Sequence, residues 1–145
     1  MTMIGTHQRR VDARGYIVVP ASWRDQGDKC YMVAKVPGLA LGVWPERQWE
    51  ALFVTVKADQ ARSLRLPDEA LRHMLASSVV SQIDTRGRIH IPLRLWQYAE
   101  VETGTDCLVV GMVTRFELWS HQNWNANADC LDQVFTPSKQ IHAAA

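Results

Sequence analysis

"QIDTRGRIHIP", residues 82–92, has a near copy 72 positions earlier, "RVDARGYIVVP", residues 10–20. Asp, Arg, Gly, Ile and Pro recur in place, and the remaining aliphatic exchanges between Val and Ile keep side-chain shape. One exchange puts a charged residue, Arg88, where the first copy has Tyr16. In both copies an Asp opens a short loop and a Gly closes it. The carboxylate can accept bonds from backbone N–H groups two residues on, and glycine supplies the positive φ that tight hairpin loops need. Asp12, Gly15, Asp84 and Gly87 are therefore the turn formers. Alternation after the loop points Ile89 and Ile91 inward and His90 outward, and Pro20 and Pro92 end their strands because proline cannot donate to a ladder.

The repeat extends outward from these turns. With the shift widened to 75, "LGVWPERQW" (41–49) faces "FELWSHQNW" (116–124), so Trp44 meets Trp119 and Trp49 meets Trp124. Two copies of one supersecondary unit, about 4–50 and 79–125, organise the chain. Each reads as a hairpin, a second hairpin and a helix. The strands are expected at 7–11, 16–20, 30–35 and 39–44 in the first copy, with a second pair at 107–112 and 115–119 in the other. Pro45 suits a first helical turn, and Trp49, Leu52, Phe53 and Val56 follow at helical spacing. Ser120 offers an N-cap ahead of Trp124, Ala128 and Leu131. Between the copies, "LPDEALRHMLASS" gives a short helix with Leu71, Met74 and Leu75 on one side. The division is a first repeat at 1–50, linker helices at 51–78, a second repeat at 79–131 and a flexible tail at 132–145. The four tryptophans are assigned to core or protomer-interface packing ahead of base stacking.

Composition excludes several classes. The 145 residues are 47% hydrophobic and 21% charged, which is globular and not disordered. No apolar run reaches the roughly 18–20 residues of a membrane helix, and "MTMIGTHQRRVDARG" has no apolar core of a secretory signal. The expected compartment is the cytoplasm. Cys30, Cys107 and Cys130 are odd in number and lack CxxC spacing, so they read as reduced, packed thiols. The five histidines are too dispersed for a zinc site, and neither metal nor cofactor is expected. Net charge is only +1, yet residues 1–24 carry a local +3 and residues 82–96 a local +2. Basic charge thus gathers on the two echoing turns, where it can form an anion-binding face.

The D-x-x-G turn with its aliphatic-Pro strand, "WPERQWE" (44–50), "DTRGRIHIP" (84–92) and "LVVGMVTRFELWS" (108–120) together resemble the MraZ family of bacterial transcriptional regulators, in the AbrB-like swapped-hairpin group. The resemblance implies an α+β, mainly β fold, with two tandem swapped-hairpin repeats fused in one pseudo-twofold barrel joined by helices. It implies a nucleoid-associated regulator of the division and cell-wall gene cluster. Its expected partners are double-stranded DNA, at direct repeats in a promoter, and further copies of itself in a ring-shaped homo-oligomer. The family's D-x-x-x-R motif falls on Asp84 and Arg88, and in the first copy on Asp12 and Tyr16.

Arg88, then Arg86 and Arg14, then Arg9, Arg10 and Tyr16 are the expected DNA contacts, since guanidiniums on rigid hairpin tips can reach phosphates or guanine O6 and N7. Arg9 and Arg10 adjoin on a strand and point to opposite faces. Arg47, placed on the linker helix, is expected to lie away from the tips. Two repeat-related aspartates also suggest an aspartic-protease dyad, but each is followed two positions later by an arginine that favours separate, ionised carboxylates. No catalytic motif is present and the chain is not expected to be an enzyme. An AbrB-like antitoxin, or a ring that has lost DNA binding through the Tyr16 exchange, are the alternatives.

Overall fold

The computed structural model describes residues 2–53 and 67–135. Among the described residues eight strands, β1 (Thr6–Arg10), β2 (Tyr16–Val18), β3 (Cys30–Val36), β4 (Ala40–Pro45), β5 (Val79–Gln82), β6 (Arg88–His90), β7 (Asp106–Gly111) and β8 (Phe116–Trp119), combine with three named helices, and residues 49–53 are helical as well. The helices are α1 (Asp68–Ser77), α2 (Leu93–Tyr98) and α3 (His121–Phe135), and 3-10 turns occupy Ala21–Trp23 and Glu46–Gln48. Val56 of the expected first-copy helix lies outside the described residues, as does the tail from 136 on.

The two copies do not fold side by side. β1 pairs with β7, β3 pairs with β5, and β2 pairs with β6, so each half's leading strands lie in the other half. This corrects the simple hairpins expected at 7–11/16–20: the turns form, but their strands pair across halves, as a swapped-hairpin fold requires. The result is a six-stranded open sheet in the order β1-β7-β8-β4-β3-β5, faced by a two-stranded ribbon of β2 and β6. Replacing each strand by its repeat counterpart returns the same order read backwards. The registers place the pseudo-twofold axis. Ile17 opposes its own counterpart Ile89 in the ribbon, and Gly42 opposes its own counterpart Glu117 at the centre of the sheet.

Period-two alternation fills both faces of that sheet. One core lies between sheet and ribbon, where Ile17, Val19, Ile89 and Ile91 meet Val33, Leu41, Val43, Val109, Phe116 and Leu118. On the opposite face Met32, Ala34, Val36, Trp44, Val110 and Trp119 are covered by Leu52, Leu71 and Met74, with Trp49 and Trp124 packed against them. β4 sits centrally and is buried along its length, which accounts for its unbroken apolar sequence. Trp119 and Trp124 meet edge to face at 5.5 Å, and the Trp49 indole donates to the Trp44 carbonyl at 2.9 Å. Among the described residues no helix is long and apolar enough to cross a membrane.

Some expected apolar positions face water. Met74 and Leu71 turn into the core, but Leu75 is exposed, because it points off the side of α1 that meets β3. Ser120 caps α3 through the Asn123 N–H at 3.0 Å. Only the first turn of α3 lies on the sheet, so Trp124 packs while Ala128, Cys130 and Leu131 are exposed. Cys107 is buried and Cys30 half-buried. Arg47 does not stand free on a linker helix. It lies in the 3-10 turn after β4 and bonds buried Asp28 and the Trp23 carbonyl, because the turn folds it back over the start of β3.

Candidate nucleic-acid interface

Both turns are built by the same bonds, atom for atom. Asp12 Oδ1 accepts from the N–H groups of Arg14 and Tyr16, each at 2.9 Å. Asp84 Oδ1 accepts from those of Arg86 and Arg88 at 2.9 and 2.8 Å. The Gly15 N–H then closes on the Asp12 carbonyl and the Gly87 N–H on the Asp84 carbonyl, both at 3.0 Å. φ is +90° at Gly15 and +78° at Gly87, the left-handed region where a Cβ is costly. These four residues build turns as their sequence positions indicate.

The loops are pinned across halves as well. The Val19 N–H donates to the Gly87 carbonyl and the Ile91 N–H to the Gly15 carbonyl, at 2.9 and 3.1 Å. The Trp96 indole adds a second donor to the Gly15 carbonyl at 3.2 Å. Its repeat counterpart is Arg24, whose guanidinium packs against Gly87. The 72-residue shift pairs Arg24 with Trp96 in the sequence, but what each one touches emerges only in the fold.

On this rigid base the basic side chains divide into three groups. Arg14 and Arg86 are exposed at the two tips, and no side-chain partner of either is found among the described residues. Arg9 and Arg10 lie on the edge strand β1, Arg10 exposed and Arg9 half-buried with Nη1 bonded to the Gln8 carbonyl at 2.9 Å. Their opposite facing follows the strand alternation. Arg88 is different. Its Nε donates to Asp84 Oδ2 at 2.8 Å, its Nη1 lies 3.6 Å from Asp12 Oδ2, and its guanidinium sits 4.7 Å from the centre of the Tyr16 ring. His90 approaches the same ring at 5.0 Å. The structure thus gathers Asp12, Tyr16, Asp84, Arg88 and His90 at the axis and leaves Arg14 and Arg86 at the flanks. The shared use of one arginine by two carboxylates is absent from any local motif, since Asp12 and Arg88 are 76 positions apart.

Both carboxyls are held below the usual carboxylate range. The chief cause at Asp12 is the Tyr16 N–H and at Asp84 the Arg88 N–H, with the Arg88 charge reinforcing each. Protons therefore bind the folded turns more weakly than the unfolded chain. The stability from these groups is complete above an ordinary carboxylate pKa of about 4 and is lost as pH falls through the lower folded values. A scan of melting temperature against pH should show the wild type losing stability below about pH 4. The double variant Asp12→Asn, Asp84→Asn should start lower and give a flatter curve there; parallel curves would mean the turns do not contribute this dependence.

Among the described residues no group of three or more His, Cys, Asp or Glu side chains could hold a metal ion. The arrangement instead offers a narrow ribbon with a fixed guanidinium at its axis and a free one at each end. Such interleaved halves, with Asp-anchored tips beside one two-stranded ribbon, define the swapped-hairpin class.

A family model described as "MraZ protein, putative antitoxin-like" matches residues 74–140. The curated relative "Transcriptional regulator MraZ" of Thermobifida fusca is 33% identical over 132 residues, covering 91% of this chain and 90% of the relative. Its namesake in Ligilactobacillus salivarius is 31% identical over 135 residues with the same coverage, and that of Pediococcus pentosaceus 29% identical over 133 residues. The chain belongs to the MraZ family.

Proposed function

We propose that this chain is a DNA-binding transcriptional regulator that meets double-stranded DNA with its two hairpin tips. The observation that supports it best is the placement of Arg14 and Arg86, exposed and without side-chain partners among the described residues, at the two ends of one rigid ribbon. The ribbon register sets Arg14 beyond one end and Arg86 beyond the other, so the two tips can meet phosphates along one face of the duplex. Arg88 lies between them, oriented by Asp84, as the group suited to a base edge. This changes the order expected from sequence. Asp12 and Asp84 offset the charge of Arg88, so the flanking arginines supply the net attraction and Arg88 the selectivity. Arg9 and Arg10 extend the basic surface along β1. So few free cations per protomer bind weakly alone, and a ring-shaped homo-oligomer on tandem promoter repeats would gain affinity through effective concentration. The relatives' names accord with transcription control, a role that this chain would carry out in the cytoplasm, on the nucleoid. The same carboxylate pairing of Arg88 favours one second reading, a ring that no longer binds DNA.

The test is fluorescence anisotropy on a duplex from upstream of its own gene and on a random duplex of equal length, titrated with salt. Binding should weaken with a slope of about −0.9 per phosphate neutralised. The double variant Arg14→Ala, Arg86→Ala should lose about two units of slope per protomer on both duplexes. Arg72→Ala is the control, because Arg72 is 72% exposed on α1 and, among the described residues, pairs with Glu69. Arg47 cannot serve, being bound to buried Asp28. No binding by the wild type at low salt would leave the second reading standing.

A further inference from the structure

We infer that Tyr16 is a positioning residue for Arg88, and that the pair turns a nearly twofold surface into a directional reader of DNA. The inference rests on the DNA-binding function proposed above and assigns a role to the tyrosine that stands in the first turn where the second has an arginine.

Tyr16 and Arg88 are repeat counterparts, and the axis through Ile17 and Ile89 brings them together on the outward face of the ribbon. Strict symmetry would set two guanidiniums against each other there, where like charges disfavour close approach. Tyrosine instead offers a negative ring face, on which the Arg88 guanidinium rests at 4.7 Å. Asp84 holds its Nε at 2.8 Å, and Asp12 draws Nη1 toward the other turn at 3.6 Å. With a ring below and a carboxylate on each side, little side-chain freedom remains to be lost on binding. Nη2 has no hydrogen-bond partner among the described residues, and 30% of the side chain stays exposed. The free corner of the fork therefore faces outward, already oriented for an acceptor on a base edge.

The same exchange removes the twofold equivalence of the face. Its outward positions are Tyr16 with Arg88 and Val18 with His90, two counterpart pairs that both differ in chemistry. A symmetric ribbon would read an element equally in either orientation. This one presents its single fixed arginine and its histidine from β6 alone, so the element it prefers has a direction.

The test is a double-mutant cycle on the full-length protein, read as anisotropy on the upstream duplex, with hydroxyl-radical footprints of the bound complexes. Tyr16→Phe keeps the ring and should bind within about twofold of wild type, whereas Tyr16→Ala should lose about tenfold. In an Arg88→Ala background Tyr16→Ala should cost nothing further, and melting temperatures of all variants show whether a loss comes from unfolding. The wild-type footprint should be lopsided about the centre of each element, and Tyr16→Arg should even it out. Equal binding by Tyr16→Ala and wild type, or additive losses in the cycle, would overturn the positioning role while leaving salt-dependent binding intact. A symmetric wild-type footprint would overturn the direction. Absence of any wild-type binding at low salt would overturn the DNA-binding function itself, and this inference with it.

Discussion

Trp96→Ala is expected to cost about 3–5 kcal/mol of stability, the range for emptying a buried Trp-sized site. Trp96 is fully buried in the core between sheet and ribbon, and its indole N–H bonds the Gly15 carbonyl. Alanine would leave both a cavity and a carbonyl with one donor fewer. Against the total of about 5–15 kcal/mol that domains of this size possess, the loss is a large share. Urea denaturation followed by tryptophan fluorescence at the remaining sites would measure it. A shift in midpoint worth under about 1 kcal/mol would mean that the ribbon rests on the sheet less tightly than its packing implies.

The second large effect is predicted at the glycine under that indole. Gly15→Ala and Gly87→Ala look equivalent in the repeat, and both force an alanine into positive φ at about 1–2 kcal/mol. Their surroundings separate them. A Cβ at Gly15 would stand 2.7 Å from the Ile91 carbonyl oxygen and 3.2 Å from the Trp96 indole nitrogen, both fixed by the core. A Cβ at Gly87 would run into the Arg24 guanidinium, the far end of a flexible side chain that can swing aside. Gly15→Ala should therefore exceed Gly87→Ala by at least about 1 kcal/mol, the added cost of backbone displacement. Denaturation midpoints of the two variants, compared at constant slope, decide it. Equal losses would place the cost in φ alone. Because Trp96 and Gly15 touch, Trp96→Ala and Gly15→Ala should combine less than additively.

These effects turn on a distinction that the amino-acid sequence carries only in part. The repeat exposes counterpart residues directly: Asp12 with Asp84, Gly15 with Gly87, Trp44 with Trp119. Local chemistry then builds each turn the same way, and alternation places Ile89 and Ile91 inside and His90 outside. What a repeat cannot display is which counterparts touch. That depends on where the axis crosses the chain, and the registers at Ile17 with Ile89 and Gly42 with Glu117 emerge only when distant strands pair. Arg88 accordingly reads as a solvent-facing tip residue in sequence and proves to be clasped between two turns. Arg47 shows the reverse limit. A charged residue after a proline resembles an exposed helix start, and nothing nearby announces Asp28, 19 positions away and buried. Leu75 and Leu131 fit an apolar helical stripe by spacing, but the sheet beneath is too small to cover them.

The exchange of hairpins also sets an order for making the molecule. Thr6–Arg10 finds its partner in Asp106–Gly111, and Tyr16–Val18 finds its partner in Arg88–His90. A chain emerging from the ribosome at about 5–20 residues per second holds Thr6–Arg10 unpaired for several seconds, until about 100 further residues have been synthesised. The first half must therefore wait, with Ile17 and Val19 uncovered, for a partner that has not yet been translated. Its leading strand is made long before the strand that secures it.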